Sequence, residues 1–418
     1  MILPSLVEIV PLSGAVQAQI SVPGSKSITN RALFLAAVAS APTTLKGALW
    51  SDDTEVMVKC LERLGVRVSV AEDPDESANR TITVIGTGGS LAHGGSPEHP
   101  LELFVGNAGT AARFIAALVC LGKGSYRLTG TPRMHERPQA AIFDALRQLG
   151  YGVDSDTNTL PATIHGDGPH PEAACRVRID ASSQFASALL LGATRGKWRV
   201  TIEGEDAEES PYVQLTAQII SVFPAGGGTF AIEADASSAS YFWGADWLLG
   251  RNAATRSSGI RVANWMERSS QVDARFPRLL QSFPNRISRV RDLGDSIMTA
   301  IVLAPFAGAT KTFVDLGRLR VQECERVQAL HTELQKCGAA IVEKGDTLEI
   351  APGPLHGAEI ETYDDHRMAM CFAMLGLVVA GMRISNPECV RKTFPSFFEK
   401  LALPPPQGLG VTVRGALS

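Results

Sequence analysis

The sequence predicts a mixed α/β protein built by internal repetition, on three observations. Short Val- and Ile-rich runs, AQISV, TITVIG, WRVTIEG and TLEIAPG, read as strands and alternate with Ala- and Leu-rich runs of helical length, NRALFLAAVAS, ARFIAALVCLG, PQAAIFDALRQLG and RVQALHTELQKCG. Several of these helices close on a glycine that leads into a strand, at Leu64-Gly65-Val66, Leu149-Gly150-Tyr151 and Cys337-Gly338-Ala339. Glycine accepts the left-handed conformation that ends a helix. Finally, one kind of segment recurs six times: a turn of small, polar or charged residues immediately before an Ala-rich helical run. The copies are PGSKSITNRALFLA from Pro23, GNAGTAARFIAAL from Gly106, DASSQFASALLL from Asp180, DASSASYFWGA from Asp235, GDSIMTAIVLA from Gly294 and DDHRMAMCFAML from Asp364.

Each of those turns is the sequence form of a capped helix start. Six of them, about 55–85 residues apart, point to a repeated fold. If the starts converge, their positive dipole ends favour an anion; otherwise they are six separate caps. The remaining properties bound the class. A length of 418 residues suits two or three domains, and 45% hydrophobic with 20% charged residues excludes disorder. Lys and Arg total 39 against 43 Asp and Glu, a net charge of −4, which argues against nucleic acid as a partner. The seven scattered cysteines form no C-x-x-C pair, so a reducing compartment is expected rather than a zinc site or disulfide framework. MILPSLVEIVPLSG lacks a basic region, carries Glu8 and is broken by Pro4 and Pro11, which makes it a poor signal peptide. The longest apolar run, Met368–Gly381, falls short of the ~20 residues a membrane span requires. A soluble, cytoplasmic protein with no membrane partner is expected.

Several segments carry chemistry. In PGSKS, Lys26, Ser27 and the following Arg31 stand on the first turns of a helix, either to hold a phosphate or carboxylate or as surface charge. The segment lacks the second glycine of a nucleotide P-loop. Gly106-Asn107-Ala108-Gly109-Thr110 is a small-residue loop that lets a ligand approach the backbone, or a simple turn. Arg137 precedes Pro138 at a helix start, an extended position. In Arg320-Val321-Gln322-Glu323-Cys324-Glu325-Arg326, Glu323 cannot pair with both arginines from one helical face, so part of the segment aims its charge elsewhere. Asp364-Asp365-His366-Arg367 borders an apolar helix, where charges must pair or reach a cleft. Metal ligation by His366 lacks a second histidine at ligand spacing. The nine arginines between Arg251 and Arg291 read as a solvated helix surface.

In order, PGSKSITNRAL, LFVGNAGTAARF, LTGTPRMHERP, DASSQFASALLL, DASSASYF, RVQECER, YDDHRMAMCF and KTFPSFFEKL resemble the 5-enolpyruvylshikimate-3-phosphate synthase family over nearly the whole chain. The resemblance implies an α/β fold of two domains, an inside-out α/β barrel of six βαβαββ-type repeats with the active site in the interdomain cleft. It implies a discontinuous domain of residues 1–22 plus 236–418 and an inserted domain of residues 23–235. The implied reaction moves the enolpyruvyl group of phosphoenolpyruvate to the 5-hydroxyl of shikimate 3-phosphate, with no cofactor, no metal, and a monomeric enzyme. Position by position, shikimate 3-phosphate is implied at Lys26, Ser27, Arg31, Ser182, Ser183, Gln184, Tyr212, Asp295 and Gln322. Phosphoenolpyruvate is implied at Lys26, Asn107, Gly109, Arg137, Gln184, Arg326, Arg367 and Lys392. Asp295 resembles the base that takes the hydroxyl proton, and Glu323 the acid/base at the methylene carbon, with Lys26 assisting. Glyphosate inhibition is also implied.

The chain departs from the family at Gln322, where lysine is usual, at Arg318, where asparagine is common, and at Glu209, where a serine commonly meets phosphate. Phe114 stands where many members carry proline, and the stretch between Tyr212 and Asp235, with Gly226-Gly227-Gly228, is short enough to reduce a strand or hairpin. These departures keep a second reading open, a non-catalytic or substrate-shifted paralogue that retains the anion-binding cleft. The sister reaction on UDP-N-acetylglucosamine is disfavoured, because it relies on a loop cysteine and Gly109–Thr110 has none.

Overall fold

The computed structural model describes residues 2–91, 93–180, 182–204, 210–251, 258–266 and 268–415. The chain forms two compact units, Gly24–Glu233 and Met1–Pro23 with Ala234–Ser418, so the backbone passes between them twice. Each unit has its own apolar core.

One repeat of the Gly24–Glu233 unit shows the plan. Strand Leu101–Phe104 is followed by helix Gly109–Val119, strand Lys123–Thr129, helix Ala140–Gln148, and strands Gly152–Asp154 and Ala162–Asp167. The first two strands pair in parallel, which demands a crossover, and the helix supplies it. The last two add antiparallel, giving the spatial order first, second, fourth, third. The same pairing pattern, one parallel contact followed by two antiparallel ones, recurs in three other sheets, and one of them repeats the strand order as well, continuous in sequence: Arg286–Ser288, Lys311–Val314, Ala340–Lys344 and Thr347–Ala351. The other two are closed by distant segments. Gly228–Ala231 returns to pair in parallel with Thr43–Leu49, and the N-terminal Leu6–Ile9 inserts between Met382–Ser385 and Val413–Arg414.

Two sheets are reduced to a parallel pair among the described residues: Ala174–Arg178 with Arg199–Glu203, and Ala18–Ile20 with Ile260–Val262. The first is the shortened repeat expected between Tyr212 and Asp235. The only strand found there, Gly228–Ala231, serves a different sheet. The second reduction, in the other unit, was not expected from sequence.

All six recurrent segments start helices, and the glycines at 65, 150 and 338 have φ of 80°, 95° and 88°. The six helices are apolar nearly all round, and such helices belong in an interior. Accordingly, every residue of Gly109–Val119 and of Ile297–Leu303 is buried. In the first unit, Lys26–Val38, Gly109–Val119 and Ser183–Gly196 pack against one another in pairs; in the second, Ala236–Gly250, Ile297–Leu303 and His366–Leu375 do the same. Helices fill each unit and sheets flank them, so the polar helix starts are the places where charge gathers. Among the described residues, no helix is long and apolar enough to cross a membrane.

Candidate functional site

In the Gly24–Glu233 unit the three buried helices bring their first turns together. Lys26 Nζ lies 3.0 Å from Asp53 Oδ2. Arg31 is only 2% exposed. Its Nε donates to Thr216 Oγ1 at 2.7 Å, Nη1 to the Ser27 carbonyl at 2.9 Å and Nη2 to Ser187 Oγ at 2.9 Å. Burial pushes its pKa down to about 10, against the opposing pull of Tyr212. Its guanidinium sits 5.5 Å from the ring of Phe114, which is fully buried against Phe34.

The small-residue loop has a direct steric reason. A Cβ on Gly109 would stand 2.5 Å from Arg113 Nη1 and 2.7 Å from Arg137 Nη2, so only glycine lets both guanidinium groups close on the helix start. Arg137 Nη1 donates to the Asn107 carbonyl at 3.2 Å, and Arg113 Nη2 to the Pro138 carbonyl at 2.9 Å. Gln184 Nε2 donates to Thr110 Oγ1 at 3.2 Å, joining two helix starts, while its Oε1 is buried without a partner among the described residues. Ser182 caps its helix by accepting from Gln184 N at 3.2 Å, and Ser183 opens that helix, buried. Tyr212, on helix Ser210–Val222, accepts at its carbonyl from Thr216 Oγ1 at 2.8 Å. Glu209 lies outside the described residues.

The other unit holds a denser network. Asp295 Oδ2 lies 3.0 Å from Arg367 Nη2, and its Oδ1 lies 3.5 Å from Arg289 Nη2. Burial opposes its charge, but Arg367, Arg326 and Arg289 outweigh that and hold its carboxyl below the usual carboxylate range. Glu323 is bracketed by Arg326 Nη2 at 2.8 Å and Lys392 Nζ at 3.4 Å. Arg326, with a 1% exposed side chain, also donates to Asp365 Oδ2 at 2.7 Å, to Asp365 Oδ1 at 3.2 Å, and to Gln322 Oε1. Asp365 completes its set by capping helix His366–Leu375 through Arg367 N at 2.8 Å. Burial works against the charge on Arg367, yet Asp295, Tyr241 and Asp235 hold it firmly protonated. Arg320 turns elsewhere, to Glu325, to Glu343 at 2.7 Å and to Asp346 at 2.8 Å, so the RVQECER segment divides its charge as the spacing required.

Every sequence-predicted residue of this unit, Asp295, Gln322, Glu323, Arg326, Arg367 and Lys392, falls into this network. Sequence reasoning missed Asp53, Arg113 and Arg289. The solvated-surface reading of the arginine-rich stretch is corrected at Arg289, which is 4% exposed and faces Asp295. Its local sequence is polar and gives no sign of burial. Arg113 had a signal, since it follows the GNAGT loop by one helical turn.

Buried guanidinium and ammonium groups set against paired carboxylates, at the starts of helices in repeated α/β units, define an anion-handling enzyme with acid/base groups. The family model described as EPSP synthase (3-phosphoshikimate 1-carboxyvinyltransferase) matches residues 10–226 and 224–401. The chain belongs to that family. It is similar to the 3-phosphoshikimate 1-carboxyvinyltransferase of Nostoc punctiforme, 35% identical over 94% of this chain and 98% of the relative. It is likewise similar to that of Sulfurovum sp., 38% identical over 92% of this chain and 96% of the relative. The fold is that of the EPSP synthase from Acinetobacter baumannii, with a TM-score of 0.69 at 21% identity over 98% of this chain and all of that one.

Proposed function

We propose that this chain transfers the enolpyruvyl group of phosphoenolpyruvate to the 5-hydroxyl of shikimate 3-phosphate and releases phosphate. The observation that carries the reading is the network in which Asp295 and Glu323 are each held by two cations, Arg367 and Arg289 for one, Arg326 and Lys392 for the other. The reaction needs a proton delivered to the methylene carbon of phosphoenolpyruvate while the attacking hydroxyl loses one. Asp295 takes the hydroxyl proton as the oxygen bonds to the central carbon of the enolpyruvyl group. Glu323 protonates the methylene carbon, giving a tetrahedral intermediate. Loss of phosphate, which leaves with the proton that Asp295 took up, and return of a methyl proton to Glu323 restore the double bond and both carboxyl groups. Asp295, kept ionised by its arginines, is ready to accept a proton.

The cations serve the substrates. Phosphoenolpyruvate is held by Lys26, Asn107, Gly109, Arg137, Gln184, Arg326, Arg367 and Lys392. Shikimate 3-phosphate is held by Lys26, Ser27, Arg31, Ser182, Ser183, Gln184, Tyr212, Asp295 and Gln322. Fixed donors of this kind also stabilise charge that develops in the transition state. The chain acts as a cytoplasmic monomer; its seven free thiols support a reducing compartment. A binding-only paralogue would have no use for a pair of carboxylates each braced by cations.

Purified protein supplied with both substrates decides the matter by phosphate release and by the mass of the product. Release that Asp295→Ala abolishes while ligand binding persists supports the reading. Ligand binding without release by the parent protein overturns it in favour of the paralogue.

A further inference from the structure

No sequence motif includes Asp273, yet it is 3% exposed and among the most heavily bonded carboxyls of its unit. It sits in the short turn Val272–Arg275. Its Oδ1 accepts from Gly294 N at 2.7 Å, from Ser296 N at 3.2 Å and from Ser296 Oγ at 2.5 Å. Its Oδ2 accepts from Ser237 Oγ at 2.6 Å, in the first turn of helix Ala236–Gly250. One carboxyl therefore grips the residues on both sides of Asp295 and ties them to the neighbouring helix start.

The grip answers a mechanical need. Asp295 lies between a turn and the seven-residue helix Ile297–Leu303, and its carboxylate is drawn toward Arg367 on one oxygen and Arg289 on the other. Ser296 stands where a serine ordinarily caps the helix, but its side chain makes no cap bond and goes to Asp273 instead. A second link, Ser240 Oγ to Thr299 Oγ1 at 2.9 Å, fastens the same two helices one turn further on. The backbone on either side of Asp295 is thus fixed by bonds independent of its charge partners.

We propose that Asp273 is a positioning residue for the transfer reaction: it locks the 294–296 loop so that the Asp295 carboxylate is held in register with the acceptor hydroxyl. This rests on the reading of Asp295 as the base. Displacement of a reacting group by about 1 Å can cost ~10²-fold in rate. Because Asp273 acts through Asp295, its removal lowers kcat far more than it weakens the binding of shikimate 3-phosphate, to which Asp295 is one contact among several.

The test compares Asp273→Ala, Asp273→Asn and Ser296→Ala, each alone and with Asp295→Asn, by steady-state and single-turnover product formation. Asp273→Ala is expected to lower kcat by about 10²-fold, with the KM for phosphoenolpyruvate within about threefold of the parent and that for shikimate 3-phosphate, which Asp295 also touches, raised by no more than about tenfold. Asparagine retains an acceptor for the loop and can donate to the Ser237 hydroxyl, so Asp273→Asn should recover kcat to within about threefold. Ser296→Ala, which leaves the Asp273 carboxyl in place should Asp273→Ala fail to fold, is expected to lose about tenfold. On the Asp295→Asn background, Asp273→Ala or Ser296→Ala should add no more than about threefold, because a group acting through Asp295 has nothing left to position. Loss of the full factor on that background shows a merely structural role and overturns the proposal, as does unchanged kcat in both Asp273→Ala and Ser296→Ala. An Asp273→Asn as slow as Asp273→Ala would mean that charge rather than geometry matters, and overturns it too. If Asp295→Asn itself turns over like the parent, the assignment of the base fails, a result distinct from these.

Discussion

Replacing Asp365 by asparagine removes one charge from a pair whose side chains are 1% and 0% exposed, at almost constant volume. Asp365 accepts from Arg326 Nε at 2.7 Å through Oδ2, and from Arg326 Nη2 at 3.2 Å and Arg367 N at 2.8 Å through Oδ1. An amide offers one acceptor oxygen. Turned one way, its NH₂ meets Arg326 Nε; turned the other, it meets Arg326 Nη2 and Arg367 N. Either orientation sets donor against donor and leaves a buried guanidinium short of its counter-charge, a change that costs about 3–5 kcal/mol. For a unit of about 200 residues, 1 kcal/mol moves Tm by ~2–4 °C, so the expected fall is ~6–20 °C. Scanning calorimetry, with the transition of each unit resolved, measures it. A fall below about 3 °C would show that water reaches Arg326, and the reasoning from burial would fail. The double variant Arg326→Met with Asp365→Leu removes both charges, and a buried ion pair replaced by apolar groups is often neutral or stabilising. Glu323 keeps Lys392 as its partner at 3.4 Å. The double variant should therefore regain all but the ~1 kcal/mol of the lost helix cap while turning over no substrate. Were it as unstable as Asp365→Asn, the pair would serve the fold and not the chemistry.

Lys26→Met removes the partner of a carboxylate whose side chain is 7% exposed, so stability should fall by only about 1–3 kcal/mol, while turnover falls at least ~10²-fold. A thermal melt and the phosphate-release assay separate the two effects, and unchanged turnover would remove Lys26 from the reaction. Arg289→Met deletes a cation 3.5 Å from Asp295 and lets its pKa rise. The working base is the ionised form, so the acid limb of the kcat profile should move to higher pH. The depressed pKa also means that ionised Asp295 stabilises the fold above its unfolded pKa of ~3.9, a contribution lost as pH falls below that value and smaller in the variant. A pH-rate profile that does not move would refute the assignment. Arg318→Ala should raise the KM for shikimate 3-phosphate sharply if Arg318 supplies the charge missing at Gln322; an unchanged KM refutes that compensation.

The legible features were those written in local chemistry. Asp235, Ser182 and Asp365 each cap a helix from within a few residues, so the starts could be read from short windows. The helix-closing glycines were readable for the same reason. Pairing was not, because the strand that completes the sheet of Thr43–Leu49 comes from the far end of the unit, and nothing in GTFA names its partner. Burial of charge was the other blind spot. Arg289 and Asp273 lie in polar surroundings in sequence, and the groups that meet them inside come from elsewhere in the chain, Asp295 for the first and Ser237, Gly294 and Ser296 for the second. Arg31 was legible as a cation, but not as one whose guanidinium is held on three sides by Thr216, Ser187 and the Ser27 carbonyl.

Gln322 shows how the same residue means different things at the two levels. In sequence it is an absent charge, where the family usually carries lysine. In the structure its Oε1 accepts a hydrogen bond from Arg326 Nη1, which no lysine can do, since an ammonium has donors only. Arg326 is thereby braced by Gln322, Glu323 and Asp365 together, and a guanidinium proposed to hold phosphoenolpyruvate is fixed in orientation. If Gln322 meets shikimate 3-phosphate as proposed, that gain comes with a weaker hold on this substrate, because a hydrogen bond involving a charged group contributes about 1.5–3 kcal/mol and a neutral one about 1. A lysine restored here would add a cation beside a guanidinium and withdraw one of its acceptors. The two substrates should therefore respond in opposite directions to that change: tighter for shikimate 3-phosphate, looser for phosphoenolpyruvate. A loss of charge alone would affect only the first.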